Sequence, residues 1–410
     1  METKKILISF GYTEEESEKI LENYIMKRIS EKSLSDKMIN FFDFLLENDY
    51  TKDEIIKMTK RYPQLFIFTT DSIEKKFEYY IHLGYGKKDI LKMTKKIPQI
   101  LGFSEENLLQ KIDNLENIGF SRKEVITLTN KVPTLFTYSS DAINDKLSAI
   151  ARLGYSEYET LQIMKKFPNI INLSIELIMK RIDYMIRLGY TKDEIIKMTK
   201  YYPNIFGYSN QYVKNKLEDL EFLGYEREDI IKMTKTNPKI FSLGIDNINE
   251  KLDLIEKLGY TKKEVINITK RIPTFINNSS ETIKNKFEEL LNLDYTEEEV
   301  KNMNISFPSI LLTSTESLKE KIEFYNSIGL HDLFVIKPCY LIQSVNLSYA
   351  RYMFYKEIGI NITIDNYYKL FMRNSRFEKK YNLTRDELME KYNYEEYLEK
   401  QNARTIWFRY

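Results

Sequence analysis

The chain of 410 residues has very little of the chemistry that disulfides and metal sites require. It contains one cysteine, Cys339, and two histidines, His82 and His331, which lie far apart in the sequence. This composition excludes an intramolecular disulfide and a thiolate metal cluster. A lone cysteine is typical of a reducing compartment, so we expect the cytoplasm, or an organellar matrix reached by an unrecognised targeting route. Cys339 follows a proline in an apolar segment, and we expect it to be buried.

Long apolar runs and net charge are also lacking. No segment approaches the eighteen or so apolar residues that cross a bilayer, so we expect no membrane span. The N-terminal sequence METKKILISFGYTEEESEKI has neither the apolar core of a signal peptide nor the acid-poor character of a transit peptide. The formal net charge is +1, from 62 basic and 61 acidic residues. A nucleic-acid partner would therefore have to be held by the arrangement of charge, because the sum of charge provides no attraction.

Signatures of catalysis are missing as well. The sequence has no Walker-type loop, no glycine-rich dinucleotide turn and no nucleophile elbow. The two histidines stand alone, so no histidine pair with metal-ligand spacing exists. We therefore expect neither enzyme activity nor a cofactor.

The prolines and glycines of the chain are distributed with a strict period. All nine prolines form one series, in which seven successive gaps are 35 residues and the last is 30: Pro63, Pro98, Pro133, Pro168, Pro203, Pro238, Pro273, Pro308 and Pro338. A second series has the same phase: Gly84, Gly119, Gly154, Gly189, Gly224, Gly259, then Asp294, then Gly329. The string YTKDEIIKMTK occurs at residues 50–60 and again at 190–200. Such self-similarity identifies a tandem repeat architecture.

Each repeat has the sequence pattern of two helices. In the first repeat, Thr51 and Glu54 form a capping box that predicts the start of the first helix. The residue before a proline disfavours helical backbone, so the first helix should end near Pro63. A short apolar segment follows, and the hydroxyl of Thr69 then predicts the N-cap of the second helix. Gly84 should end that helix in a left-handed conformation.

One such pair cannot cover its own apolar face, so successive pairs must stack. We therefore predict an all-α protein, a right- or left-handed superhelical α-solenoid of about nine 35-residue helix-pair repeats. Residues 1–49 are predicted to be a degenerate N-terminal capping repeat. Residues 50–329 should form eight 35-residue repeats, residues 330–360 a shortened ninth repeat, and residues 361–410 a helical C-terminal cap.

The repeat resembles that of the mitochondrial transcription termination factor family. The resemblance lies in Gly-Tyr-Thr-x-x-Glu-Ile-Ile-Lys-Met-x-x-x-x-Pro followed by Ser-x-Glu-x-Leu-x-x-Lys-Ile-x-x-Leu-x-x-Ile-Gly, over most of the chain. It implies a left-handed superhelix that binds double-stranded DNA or RNA without catalysis. It also implies a role in transcription termination or regulation, or in RNA or ribosome maturation. We expect such a protein to act as a monomer away from membranes.

A basic residue stands thirteen positions after every proline, and we call this series the basic column. No acid lies four positions before or after any member, so an ordinary i,i+4 salt-bridge ladder is excluded. The members could bind phosphate, or they could pair within each repeat with the acids nine positions before the prolines. The sequence leaves both interpretations open. The column consists of Lys76, Lys111, Lys146, Arg181, Lys216, Lys251, Lys286, Lys321 and Arg351.

A second basic set, which we call the helix-end cations, lies two residues before several prolines: Arg61, Lys96, Lys131, Lys166 and Arg271. Cations are favoured at the C-terminal end of a helix by its dipole, and phosphate contact is the alternative. Most aromatic residues follow the apolar stripes and should pack in the core rather than stack on bases; Tyr201 and Tyr212 are the candidate exceptions. The rival to nucleic-acid binding is a protein-binding α-solenoid scaffold, which the near-zero net charge favours.

Overall fold

The structure, a computed structural model, describes residues 2–292 and 295–399. Within these residues every regular element is an α- or 3-10 helix, and no strand is present. The prediction of an all-α solenoid is therefore confirmed. The helices form two compact units, Met1–Tyr208 and Ser209–Tyr410. No helix among the described residues combines the length and the apolar character that a membrane crossing needs.

The first helix of each repeat begins after the predicted cap. Thr51 accepts the backbone N–H of Glu54, and the Glu54 carboxylate accepts the N–H of Thr51, as the capping box requires. The same box starts the helices after Ser121, Ser156 and Thr191. The first helices are Lys52–Arg61, Lys87–Lys96, Arg122–Lys131, Glu157–Lys166, Lys192–Tyr201, Arg227–Thr236, Lys262–Arg271, Glu297–Ser306 and Leu333–Ile336.

A single 3-10 turn follows each first helix. The residue before the proline leaves helical geometry, as Tyr62 does at φ −141° and ψ 78°. The proline then occupies the first position of the turn, where its missing N–H costs nothing. The turns are Pro63–Ile67, Pro98–Gly102, Pro133–Thr137, Pro168–Asn172, Pro203–Gly207, Pro238–Ser242, Pro273–Asn277, Pro308–Leu312 and Pro338–Ile342.

The second helix starts at a hydroxyl cap in most repeats. Thr69 accepts the N–H of Ser72, and Ser104 accepts that of Asn107. The second helices are Thr70–His82, Glu105–Asn117, Ser140–Ala151, Ile175–Arg187, Asn210–Leu223, Ile245–Lys257, Ser280–Leu291, Thr315–Ser327 and Val345–Glu357.

The two ends of the chain carry additional helices. Before the first repeat lie Glu2–Phe10, Glu14–Leu21, the 3-10 turn Met26–Arg28 and the long helix Glu31–Glu47. After the ninth repeat lie the 3-10 turn Tyr367–Lys369 and the helices Asn374–Tyr381 and Arg385–Lys391.

The glycine that ends each second helix has a positive φ, as predicted. Gly84 has φ +103°, a conformation that L side chains rarely adopt. At Gly154 a side chain would also clash, because its Cβ would lie 2.8 Å from Cδ1 of Ile196. Asp49 occupies the matching position of the N-terminal cap and adopts φ +68°. Asp294, which replaces the glycine in the eighth repeat, lies outside the described residues.

Neighbouring repeats are joined by buried side chains. Leu65 and Phe66 of the first 3-10 turn are fully buried, as are Ile55 and Met58 of the first helix. The tyrosine that follows this glycine, or that follows Asp49 in the N-terminal cap, also makes a hydrogen bond with a threonine in the first helix of the next repeat in several cases. These pairs are Tyr50–Thr94 at 2.7 Å, Tyr85–Thr129 at 2.6 Å and Tyr155–Thr199 at 2.6 Å in the first unit, and Tyr225–Thr269 at 2.7 Å in the second.

Candidate nucleic-acid interface

The basic column lies at the boundary between successive second helices. In the first unit its members are half-buried, whereas Lys216, Lys251 and Lys321 of the second unit are only 5–7% exposed. Their aliphatic stems cover apolar surface, as the sequence position at the edge of the apolar stripe indicated. Their charged ends lie beside the backbone of the following repeat.

Most members of the basic column donate to a backbone carbonyl of that next repeat. The Nζ of Lys111 lies 3.1 Å from the carbonyl oxygen of Tyr138, and the Nζ of Lys251 lies 2.7 Å from that of Ile276. These carbonyls lie in the 3-10 turn or between it and the second helix, where a regular helical partner is lacking. The same kind of bond joins Lys146 to Leu173, Lys216 to Leu243 and Lys321 to Leu341.

The two arginines of the column differ from each other. Arg351 is fully buried and donates to the carbonyl of Leu370 at 2.7 Å and to the side chain of Asn374 at 2.8 Å. These partners lie in the C-terminal cap, which takes the place of a further repeat. Arg181 has two buried guanidinium nitrogens, Nε and Nη1, without a hydrogen-bond partner among the described residues.

Burial weakens the proton affinity of these side chains. Desolvation lowers the pKa of Lys111, and it does the same for Lys216 and Lys251 because the charged form loses solvation when it is buried. At Lys286 desolvation again dominates and lowers the pKa, although Glu289 opposes it. The cations of the column are therefore partly desolvated, and most of them use their charged groups to bind the next repeat.

Grooves between second helices still lead to some members of the column. One groove is lined by Lys111, Asn114, Tyr138 and the N-cap residue Ser139. An equivalent groove in the second unit is lined by Lys286 together with the N-cap residue Ser314. A phosphate in such a groove would meet an ammonium group and the N-terminal end of a helix. Phosphate binding by the basic column thus stays a prediction.

The acids nine residues before each proline pair with a different set of cations. Glu54 accepts from Lys95 at 2.8 Å, and Glu159 accepts from Lys200 at 2.6 Å. In each case the lysine lies in the first helix of the next repeat. The sequence left open that these acids pair with the basic column of their own repeat. For the acids that bind a lysine of the next repeat instead, that interpretation is wrong. Further pairs of this kind are Glu124–Lys165, Asp229–Lys270 and Glu264–Lys301, whereas Asp89 accepts from the neutral amide of Asn130.

The helix-end cations are exposed and lie against the end of the next first helix. Arg61 donates to the carbonyl of Lys96 at 3.1 Å, and Lys166 donates to that of Lys200 at 2.9 Å. Arg271 donates to the carbonyls of Ile305 and Ser306 at 2.8 and 2.9 Å. The dipole interaction expected from the sequence is thus made with the neighbouring repeat. Lys96 and Lys131 are exposed at the same position of their repeats.

Exposed charge is separated between the two kinds of helix in the second and third repeats. The first helix Lys87–Lys96 carries five lysines and one aspartate, whereas the second helix Glu105–Asn117 carries four acids and one lysine. Exposed acids recur eight residues after the prolines, as at Asp71, Glu106 and Asp141. In the second and third repeats, the near-zero net charge of the chain therefore conceals a basic first-helix face and an acidic second-helix face.

Sequence reasoning missed part of the basic face. Lys88, Lys92 and Lys123 are exposed on first helices beside Lys96 and Lys131. Residues four apart share one face of a helix, so the spacing of Lys88, Lys92 and Lys96 was a readable signal. The aromatic exceptions are exposed as anticipated, with Tyr201 at 53% and Tyr212 at 39%.

The expectation for the single cysteine was wrong. Cys339 is exposed, because the residue after the proline faces outward at the start of the 3-10 turn. Among the described residues, no group of three or more His, Cys, Asp or Glu side chains is placed to hold a metal ion.

Comparison with known families agrees with the repeat pattern over most of the chain. The mTERF family model matches three overlapping stretches, residues 2–152, 108–221 and 217–353. No curated protein matches the sequence.

Proposed function

Because this chain belongs to the mTERF family of nucleic-acid-binding helical-repeat proteins, we propose that it acts by occupying DNA or RNA without catalysis. Bound to DNA, it would regulate or terminate transcription by obstructing the polymerase. Bound to RNA, it would protect a transcript or assist ribosome maturation. Each of these roles requires a surface that follows a phosphate backbone over several repeats.

The separation of exposed charge supports this proposal most directly. A polyanion is attracted to the first-helix face, where Lys92, Lys96 and Lys131 are exposed, and repelled by the exposed acids of the second helices. The chain has only one more basic than acidic residue, yet it can therefore still bind nucleic acid. The local electrostatic potential of the basic face, and not the net charge of the chain, attracts the phosphate backbone.

We propose that the helix-end cations make the phosphate contacts, while the basic column mainly fixes the second helices in position. Arg61 and Lys166 are exposed, so a phosphate oxygen can replace or share their carbonyl partner. Lys251 and Lys321 are almost fully buried, so they would have to break a buried hydrogen bond to reach a phosphate.

Two matched variants in the first unit test this division of roles. One replaces the helix-end cations Arg61, Lys96, Lys131 and Lys166 by Gln; the other replaces the column residues Lys76, Lys111, Lys146 and Arg181 by Gln. The helix-end variant should lower the slope of log affinity against log salt by up to about four units and leave thermal unfolding nearly unchanged. The column variant should mainly lower stability, because carbonyls such as that of Tyr138 lose their donor.

The opposite result would assign the contacts to the column. If the column variant loses the salt slope at unchanged stability, the basic column binds phosphate. If the purified parent chain leaves both a DNA duplex and an RNA unbound at low salt, nucleic-acid binding itself is refuted.

The scaffold function is the second candidate, and a separate observation favours it. In the last two repeats the 3-10 turns, which contact each other, expose Leu312 at 49% and Ile342 at 63%, and the first helix of the ninth repeat exposes Ile336 at 53% at its C-terminal end. Exposed apolar side chains close together are common at protein interfaces. The scaffold would become the leading proposal if the parent chain failed the nucleic-acid test above.

A further inference from the structure

The first helix of the second repeat has more lysines than its local ion pairs need. Of its five lysines, Lys87 pairs with Asp49 at 3.1 Å and Lys95 pairs with Glu54 at 2.8 Å. The other three, Lys88, Lys92 and Lys96, are exposed, and none of them has an ion-pair partner among the described residues. They are spaced by four residues and therefore form one stripe along the helix.

This stripe is unfavourable for the helix that carries it. Like charges four residues apart repel each other and destabilise a helix, whereas opposite charges in the same places stabilise it. The sixth repeat has the favourable arrangement at the matching positions, because Glu228 lies 4.0 Å from Lys232. The second repeat thus has three lysines at positions where alternating acidic and basic residues would stabilise the helix more.

The neighbouring repeats extend the positive surface. The first helix of the third repeat packs beside that of the second and exposes Lys123 and Lys131 at the corresponding positions. From the first repeat, the guanidinium of Arg61 lies 3.1 Å from the carbonyl oxygen of Lys96. We call Lys88, Lys92, Lys96, Lys123 and Lys131 the lysine cluster.

Acids on these two helices are engaged elsewhere. Asp89 accepts from the side chain of Asn130, and Glu124 accepts from Lys165 at 2.8 Å. Interactions with Lys165 and with the N–H of Ser121 hold the pKa of the Glu124 carboxyl at about 2. Neither acid is therefore available to neutralise the lysine cluster.

We propose that the lysine cluster anchors the sugar–phosphate backbone, and that it does so without regard to base sequence; this rests on the proposed function. The stripe from Lys88 to Lys96 is about 12 Å long. One strand of B-form DNA presents a phosphate about every 3.4 Å of axis, so the stripe spans about three phosphates. The cluster contains neither the planar guanidinium nor the amide groups that read base edges, and lysine binds phosphate as a point charge.

A charge-matched pair of variants tests the proposal. The cluster variant is K88Q/K92Q/K96Q, and the control is K214Q/K284Q/K319Q, which removes three exposed lysines from second helices. The probes are a mixed-sequence DNA duplex of about 20 base pairs and a single-stranded RNA of about 20 nucleotides. The readouts are affinity as a function of salt and the midpoint of thermal unfolding.

The cluster variant should lower the salt slope by up to about 2.7 units on duplex and about 2 units on single strand, to the same extent for different base sequences. Its unfolding midpoint should stay the same or rise, because the repulsion within the stripe is relieved. The control should change the slope by less than about one unit.

Three outcomes would overturn the anchoring role: an unchanged slope in the cluster variant, an equal loss in the control, or a loss that depends on base sequence. A parent chain that binds neither probe would instead refute the proposed function. The two failures are therefore distinguishable.

Discussion

In both units a tyrosine bonds to a threonine one repeat further on, as in Tyr85–Thr129 and Tyr225–Thr269. The exposed positions of the repeats have no such agreement. The first unit exposes Lys88 and Lys92 on a first helix, whereas the eighth repeat, in the second unit, exposes Glu297 and Glu298 at the start of its first helix.

This difference distinguishes the buried positions, which hold the repeats together, from the exposed positions, which are available for binding. Positions inside the stack stay buried and accept a restricted set of residues, because each must fit the neighbouring repeat. Positions outside it are free to vary in charge, and they do so both within and between the units. The comparison therefore predicts that interior substitutions have the same effect in either unit, and that the effects of charged positions differ.

The largest expected effect comes from the phenylalanine of the 3-10 turn. Phe66 in the first unit and Phe241 in the second are fully buried at the same repeat position. Replacing either by Ala should cost about 3–5 kcal/mol by lost burial and a cavity. Local stability can be measured by amide hydrogen exchange in the affected repeats. Phe222→Ala is the control, since Phe222 is 88% exposed; unequal losses at Phe66 and Phe241 would break the comparison.

The basic column should show an intermediate effect that differs between units. Lys251→Met keeps the aliphatic stem but leaves the buried carbonyl of Ile276 without its donor, which costs on the order of 1–3 kcal/mol. Lys76→Met should cost less than about 1 kcal/mol, because Lys76 is only half-buried and rests 5.9 Å from the ring centre of Tyr79. Urea unfolding measures both. Equal costs would show that burial of the column does not determine its role.

The tyrosine–threonine bonds should have a smaller and equal effect. Tyr85→Phe and Tyr225→Phe each remove one hydrogen bond, which costs about 1 kcal/mol. The junction of the third and fourth repeats provides a natural precedent, with Phe120 and Met164 at the two positions. Adding Thr129→Met to Tyr85→Phe should recover part of the loss in denaturant unfolding. No recovery would mean that the pair does not act as a unit.

The smallest effect should appear at acid pH. The lysine partner Lys165 and the N–H of Ser121 lower the pKa of Glu124 from 4.5 to about 2 in the folded chain. The resulting stabilisation is present above pH 4.5 and is lost as the pH falls towards about 2. Glu124→Gln should therefore flatten the decline of the unfolding midpoint across that window. Glu157→Gln, on the helix that carries Lys165, serves as the control, and an identical flattening there would contradict the assignment.

Local features of the repeat were predictable from the sequence because they depend on nearby residues. The box of Thr51 and Glu54 and the positive φ of Gly84 follow from backbone chemistry within a few positions. The outward position of Cys339 was predictable too, since Gln64 and Asn169 are polar at the matching place.

Pairing between repeats could not be predicted. In a strict 35-residue repeat, any two repeat positions keep the same separation in every copy, whether or not their side chains are in contact. The sequence therefore offers Lys146 and Lys165 equally as partners of Glu124. Only packing shows that Lys165 is its partner. The acceptors of the basic column are even harder to predict from the sequence. They are backbone carbonyls such as that of Tyr138, and every residue has one.

The bonds that the basic column makes to backbone carbonyls run forward along the chain, from one repeat to the next. Lys111 reaches Tyr138 and Lys146 reaches Leu173, 27 residues ahead in each case. A recombination event that removed one 35-residue period within a unit would therefore present each lysine with an equivalent carbonyl. At the end of the series, Leu370 and Asn374 supply the acceptors for Arg351. An array built in this way can gain or lose repeats, and so change the length of polymer that it contacts, without a new kind of interface between repeats.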